Sequence, residues 1–161
     1  MSELAVGKQS SKPEGYERLD PVRRGTYFDV YAPRSGVDAD RVLVFHAKGK
    51  ITLGEGDSEL EVLAREFSDR KVILDMGNVS YVDSTGLGAL VLGHSILRKH
   101  AGKFRLCNLS EKLLALLNAT SLLNTFELSC DVPDALGGVL AKYEQVTSMV
   151  SGTRYALVRK V

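Results

Sequence analysis

The sequence predicts an α/β domain with a mixed, mostly parallel β-sheet flanked by helices. Strand-like apolar runs alternate along the chain with helical patterns of about 10–17 residues. The run Val72-Ile73-Leu74 is continuously apolar between chain breakers, which is typical of a strand buried in a parallel sheet. Two early strands are close enough in sequence to form a hairpin, so one antiparallel pair is expected beside the parallel strands.

The composition indicates one ordinary globular domain. The chain has 161 residues, of which 44% are apolar and 25% are charged, so it can bury a core without metals or disulfides. Its net charge of +1 gives no electrostatic reason to expect a nucleic-acid partner or an acidic membrane surface.

The cysteines and histidines predict neither a metal site nor a cofactor. Cys107 and Cys130 do not form a Cys-x-x-Cys pair, and His46, His94 and His100 are scattered. A domain of this size does not need a disulfide, so two free, buried thiols in a reducing cytosol are expected.

Sequence features also predict a cytoplasmic protein without membrane insertion. The stretch Met1–Ser11 is polar and lacks the apolar core of a signal peptide. The longest apolar run, Gly86–Leu97, is interrupted by polar residues and is shorter than the about 20 residues that span a bilayer.

The first half of the chain predicts two strands and a helix after a polar arm. Residues 1–17 are expected to form a flexible N-terminal arm. Strands are predicted at Tyr27–Tyr31 and Arg41–Lys48, followed by a glycine-rich loop at Gly49–Gly56. A helix capped by Asp57 or Ser58 is predicted to run to Phe67, because its leucines recur on one face.

The middle of the chain continues the alternation of strands and helices. The segment Lys71–Met76 predicts the buried strand, and Gly77–Asp83 predicts a turn. A long helix is expected over Ser84–His100, where Gly102 can end it. A short strand at Phe104–Cys107 precedes a helix that begins at Ser110.

The C-terminal part predicts an edge strand and a last helix. The strand is expected at Phe126–Leu128, and the helix from near Pro133 to Gln145. The domain is therefore expected over residues 18–146, with a tail over 147–161 whose segment Tyr155–Val158 either pairs as a strand or is disordered.

The segment Asp83-Ser84-Thr85-Gly86-Leu87-Gly88 stands where a strand-to-helix turn is predicted, at the sheet edge that carries sites in α/β folds. Asp83 is a good N-cap, which places Ser84 and Thr85 in the first helical turn near the positive end of the helix dipole. A phosphate on either hydroxyl would be tolerated there, and its charge would act on whatever docks against the turn.

Two interpretations of this segment remain open at this point. An ordinary helix cap explains Asp83, Ser84 and Thr85, but it does not need Gly86 and Gly88, which are poor helix residues. Glycines there indicate close approach of another surface, and the helix is apolar nearly all round. Either a partner or the chain's own neighbours could cover that apolar surface.

The motif Asp83–Gly88, after the buried strand Val72–Asp75, resembles the phosphorylation motif of STAS domains in anti-sigma factor antagonists. The resemblance extends from about Arg41 to Leu140. It implies a mixed sheet flanked by helices, and it implies that Ser84 is phosphorylated by an anti-sigma factor that is itself a serine kinase. The unphosphorylated form would bind that factor and release sigma, and a PP2C-like phosphatase would reset the switch.

The resemblance also implies a partner-binding surface around Ser84. Many relatives carry an acidic residue in a Gly-x-Leu-Asp pattern, whereas Thr52 stands at that place here and Glu55 follows nearby. The residues predicted to bind the partner are Val82, Asp83, Ser84, Thr85, Gly86, Leu87, Gly88, Leu90, Thr52 and Glu55.

Other functions fit the sequence less well. The turn lacks the lysine and spacing of a P-loop and the pattern of a dinucleotide site. An esterase-like serine would need a nearby base, and His94 is about 15 Å farther along the same helix, so a non-enzymatic protein is predicted. The main alternative is a STAS scaffold or accessory subunit of a transport or signalling complex that is not phosphorylated. Thr85 as phosphoacceptor and formation of a homodimer remain open.

Overall fold

The computed structural model describes residues 12–36, 38–150 and 152–160. The strands in these residues are β1 (Leu19–Arg24), β2 (Phe28–Pro33), β3 (Val42–Ala47), β4 (Gly49–Ile51), β5 (Lys71–Asp75), β6 (Val79–Val82), β7 (Lys103–Cys107), β8 (Glu127–Ser129), β9 (Ala141–Ser148) and β10 (Gly152–Arg159). The α-helices are α1 (Asp57–Glu66), α2 (Ser84–Lys99), α3 (Glu111–Ala119) and α4 (Val132–Leu136).

Six strands form the central sheet in the order β1-β2-β3-β5-β7-β8. Strand β2 is antiparallel to both β1 and β3, whereas β3, β5, β7 and β8 run parallel to one another. The parallel strands are connected through α1, α2 and α3, as parallel crossovers require. The predicted fold class, a mixed and mostly parallel sheet flanked by helices, is confirmed.

The two faces of the sheet bury different clusters. Along β5, Val72 and Leu74 join the large core that also contains the apolar residues of α1, α2 and α3, while Ile73 joins a smaller cluster with residues of α4. This alternation follows from the two-residue period of a strand. The three long helices therefore share one face, and the short helix α4 with the segment before β1 occupies part of the other.

The beginning of the chain differs from the predicted flexible arm. Residues 1–11 lie outside the described residues, but Tyr16 is fully buried against Tyr31 in the smaller cluster. Strand β1 was not predicted, because Pro21 and two arginines make Leu19–Arg24 look polar and only Leu19 is buried. Such residues are typical of an edge strand, which is the position of β1.

The end of the chain also differs from its prediction. The last helix ends at Leu136 rather than Gln145, because the chain turns at Gly137 and Gly138, and Gly138 has a φ of 76°. The following residues form the antiparallel hairpin β9–β10, so the predicted boundary at 146 falls inside a strand. The open question about the C-terminal segment is thus resolved in favour of a strand.

Strands β4 and β6 form a short parallel pair, and β6 ends directly before the predicted switch segment. Gly49 pairs with Val79 and Ile51 pairs with Val82, although Gly77–Asp83 was predicted as a turn. Only Val82 of β6 is buried, which explains why the sequence did not indicate a strand. The β4–β6 pair fixes the position of Asp83 at the start of α2.

The described residues contain no helix long and apolar enough to cross a membrane. The two cysteines are free, with Cys107 buried and Cys130 partly buried.

Candidate functional site

The turn from β6 into α2 is capped by Asp83. Its Oδ1 accepts a hydrogen bond of 2.7 Å from the Gly86 backbone amide, which is the N-cap interaction that the sequence predicts. Ser84 and Thr85 follow in the first turn, and both are exposed. Their hydroxyls are therefore accessible beside the positive end of a helix of 16 residues.

Asp83 also holds the loop that follows β4. Its Oδ2 accepts from the Leu53 backbone amide at 3.3 Å. Within this loop, Thr52 and Glu55 exchange backbone hydrogen bonds of 2.7 and 2.9 Å. One carboxylate thus joins the first turn of α2 to the Thr52–Glu55 loop, which explains how segments about 30 residues apart form one surface.

Gly86 is required by a contact within the chain itself. A Cβ atom at this position would lie 1.8 Å from the Ile51 carbonyl oxygen, a separation that no side chain can adopt. The close approach inferred from this glycine is therefore between α2 and β4, not between the domain and a partner. Gly88 is different, because it is exposed and a Cβ there would meet nothing within 4 Å.

The structure divides the residues predicted to bind a partner into two groups. Leu90 is completely buried in the large core, so the apolar side of α2 is covered by the chain's own sheet and helices. The buried group consists of Val82, Gly86, Leu87, Leu90 and Thr52. The exposed or partly exposed group consists of Asp83, Ser84, Thr85, Gly88 and Glu55.

Three exposed apolar side chains near this turn were not predicted as site residues. Leu53 is 74% exposed, and its backbone amide is hydrogen-bonded to Asp83. Tyr81 is 50% exposed and lies two residues before Asp83 in the chain. Leu92 is exposed on α2, four residues after Gly88, which is itself four residues after Ser84. Ser84, Gly88 and Leu92 therefore lie on one side of the helix. The all-round apolar pattern of α2 was the signal for Leu92, whereas nothing local distinguished Leu53.

The turn surface, defined here as Ser84, Thr85, Gly88, Glu55 and Leu53, combines hydroxyls, apolar surface and negative charge. Asp57 adds a further carboxylate, which accepts from the Gly54 amide at 3.0 Å. A phosphate on Ser84 would add about two negative charges next to these acidic groups. It would change the electrostatic character of the surface much more than its shape.

Neither His46 nor His94 is hydrogen-bonded to Ser84 in the described part of the chain. His94 packs edge-on against Phe126, with ring centroids 5.6 Å apart, and His46 contacts Asp75. The arrangement expected of an esterase-like serine and its base is therefore not formed by these residues.

Replacing Asp83 with alanine is expected to destabilise the domain by about 1–2 kcal/mol, because it removes an N-cap bond and the tie to Leu53. Urea unfolding would measure the loss, and amide hydrogen exchange should accelerate at both Leu53 and Gly86. Ser110→Ala is the matched control, since the Ser110 hydroxyl caps α3 by accepting from the Leu113 amide and, within the described residues, forms no hydrogen bond to another loop. Unchanged amide hydrogen exchange at Leu53 in the Asp83 variant would contradict the hydrogen bond between Leu53 and Asp83.

Comparison with known proteins places this fold and turn in a family. The model of the STAS domain matches residues 37–135, which is more than half of the chain. The anti-sigma-B factor antagonist of Bacillus subtilis (strain 168) is 38% identical over 71 residues, which are 44% of this chain and 63% of that protein. The match thus spans less than two thirds of that relative's length.

Solved structures show the same fold at low sequence identity. An anti-sigma-factor antagonist (STAS) domain protein from Planctomyces limnophilus superposes with a TM-score of 0.56 at 17% identity, covering 74% of this chain and 96% of that one. A sulfate transporter family protein from Wolinella succinogenes gives 0.55 at 20% identity, covering 60% and 83%. These likenesses show the fold, and the family match over residues 37–135 shows that the chain belongs to the STAS domain family.

Proposed function

We propose that this chain is an anti-sigma factor antagonist whose binding is switched by phosphorylation of Ser84. In this proposal the unphosphorylated form binds an anti-sigma factor that is also a serine kinase, and sigma is released in the cytoplasm. Phosphorylation ends the binding, and a PP2C-like phosphatase restores it. The observation that carries the proposal is an exposed serine in the first turn of α2, in a chain that is 38% identical over 71 residues to the anti-sigma-B factor antagonist.

The local geometry supports a switch that does not require refolding. Asp83 already caps the Gly86 amide, and the amides at the first two helical positions have no partner within the helix. A phosphate on Ser84 would lie near these amides and the positive end of the helix dipole, where an anion is favoured. The buried neighbours Val82 and Leu87 would keep their places, so the modification would act on the surface alone.

The proposed partner surface is smaller and more polar than the sequence predicted. It comprises the turn surface together with Tyr81 and Leu92, because the buried leucines of α2 are not accessible. A partner would bury the exposed apolar side chains of Leu53, Tyr81 and Leu92 around a central hydroxyl. Adding a doubly charged phosphate at that centre would place an unpaired charge in the interface, which is strongly unfavourable.

A second candidate function keeps the surface but omits the phosphorylation. The structural likeness to the sulfate transporter family protein favours a docking role as an accessory subunit of a transport or signalling complex. In that case Ser84 and Thr85 would contribute hydrogen bonds to a stable interface. The two candidates differ in one measurable property, the incorporation of phosphate.

Intact-mass spectrometry after incubation with ATP and a candidate anti-sigma kinase tests the proposal. The wild-type chain should gain the mass of one phosphate, and Ser84→Ala should gain none. Thr85→Ala is the matched control, because it removes the neighbouring exposed hydroxyl and should still be phosphorylated. Absence of a mass gain in the wild type with every such kinase would contradict the switch, and loss of the gain in Thr85→Ala alone would move the site to Thr85.

A further inference from the structure

A polar cavity of about 490 Å³ lies on the sheet face opposite α1, α2 and α3. Its walls come from the carboxyl ends of the parallel strands, with His46 on β3, Asp75 on β5, Asn108 after β7 and Asp131 after β8. The exposed Asn78 completes the rim. In α/β sheets this edge is where small ligands bind, so the cavity is a candidate site separate from Ser84.

The floor of the cavity is a buried hydrogen-bonded cluster of Tyr16, His46 and Asp75. The Tyr16 hydroxyl donates to Asp75 Oδ2 at 2.7 Å, and His46 Nδ1 lies 3.3 Å from the same oxygen. Tyr16, His46 and Asp75 are 0%, 6% and 3% exposed, so all three are buried. His46 and Asp75 also line the cavity. The cluster therefore presents fixed polar atoms to the cavity at little cost in side-chain entropy.

Asp75 keeps its negative charge in this environment. Burial by itself raises the pKa of a carboxyl group, but the hydrogen bonds from His46, Asn108, Tyr16 and the Gly77 amide outweigh it and lower the pKa of Asp75 to about 2. Asp75 thus contributes a negative charge to the floor of the cavity at neutral pH.

The outer atoms of the cluster are hydrogen-bond acceptors. With its proton on Nδ1, His46 donates to Asp75 and leaves Nε2 to accept from the Asn78 carboxamide, which is 3.1 Å away. Asn78 is exposed, so a ligand N–H can take its place. Asn108 donates through Nδ2 to Asp75 at 2.9 Å, and its side-chain carbonyl oxygen is a further acceptor.

The charge of the walls indicates the sign of the ligand. Glu14 and Asp131 add two carboxylates, and the described residues that line the cavity include no lysine or arginine. Lys12 adjoins this wall in the chain, but its ammonium group donates to the Leu19 carbonyl and pairs with Asp20. A phosphate or carboxylate ligand would meet no cation here, whereas a cation with several N–H donors would satisfy the acceptors.

We propose that this cavity binds a small organic cation that carries a primary ammonium or guanidinium group. A bound metal ion fits less well, because the described residues contain no group of three histidine, cysteine or acidic side chains placed to hold one. The lining residues also include no phenylalanine, tyrosine or tryptophan ring on which a sugar could stack. The proposal does not depend on Ser84 or on the proposed sigma-factor switch.

Nuclear magnetic resonance titration of the full chain with agmatine and with putrescine tests this proposal. Saturable shifts are expected at the backbone amides of His46, Gly77, Asn78 and Asn108, while inorganic phosphate should leave these amides unshifted. Shifts that do not saturate, or that spread over the acidic surface of the whole domain, would overturn the proposal. Preferential binding of phosphate at these amides would overturn it as well.

A pair of charge-matched double variants makes the test specific. Asp131→Asn with Glu14→Gln removes two wall charges but keeps an oxygen to accept from the Asp134 amide, so α4 keeps its cap. Binding should weaken by about tenfold or more, as expected when a cation loses two nearby carboxylates. The control combines Asp40→Asn with Asp69→Asn, both exposed and outside the cavity, and its affinity should stay within about twofold of wild type. Equal weakening in the two double variants would show a general charge effect and overturn the site.

Discussion

Replacing Gly86 with alanine is expected to destabilise the domain by about 3 kcal/mol. The added Cβ would lie 1.8 Å from the Ile51 carbonyl oxygen, and that oxygen belongs to the backbone of β4. Because β4 is paired with β6, the clash can be relieved only by moving α2 away from the β4–β6 pair. Urea unfolding of the isolated chain measures the change directly.

Gly88→Ala is the matched control, since it adds the same methyl group two residues later on the same helix. Nothing lies within 4 Å of its Cβ position, so the higher helix propensity of alanine should stabilise the domain by about 0.5–1 kcal/mol. The two variants are thus expected to shift stability in opposite directions. Tolerance of alanine at Gly86 would mean that α2 does not pack on Ile51 as described.

Replacing Ser84 with aspartate is expected to weaken binding of the proposed anti-sigma partner by roughly 1–3 kcal/mol, which is about 5-fold to 150-fold in Kd. The carboxylate would add negative charge beside Asp83 and Glu55 at the centre of the proposed interface. Ser84→Ala should bind as the wild type does and should no longer respond to the kinase. Isothermal titration calorimetry with the purified partner separates these outcomes.

Ser35→Asp is the control for that experiment, because Ser35 is exposed in the loop after β2, at the sheet edge where the parallel strand β3 begins. The substitution adds the same charge away from the turn surface and should leave the affinity unchanged. If Ser84→Asp binds as tightly as the wild type, the partner does not dock on the turn surface. If both variants weaken binding equally, the effect is one of net charge and not of position.

The sequence predicted the elements whose stability depends on a local pattern. Strand β5 is a continuous apolar run, α1 and α2 carry apolar faces, and Asp83 caps α2, all of which are visible in a single window of residues. The predicted cap of α1 by Asp57 or Ser58 is wrong, because Gly56 occupies the N-cap position and no side chain caps this helix. Strands β1 and β6 were not predicted, because they are held by pairing with a neighbouring strand and not by burial of their side chains. The last helix was extended too far, since Val139 and Leu140 continue an apolar pattern that Gly137 and Gly138 interrupt.

The same distinction applies to the site. The cap by Asp83 and the exposure of Ser84 follow from the local rules for a helix start, so both could be derived from the sequence. The bond from Leu53 to Asp83 and the contact between Gly86 and Ile51 join segments about 30 residues apart. Such contacts exist only after the sheet has brought β4 and β6 together, and no window of sequence contains them.

The hairpin β9–β10 has a consequence for the order of assembly during synthesis. Its two strands are neighbours in the chain and pair antiparallel with each other, whereas each parallel pair of the central sheet must wait for a crossover helix. The hairpin also follows β8 in the chain and lies outside the region matched by the STAS domain. The ribosome therefore delivers every strand of the central sheet before the hairpin, which can close within about microseconds once both of its strands have been synthesised.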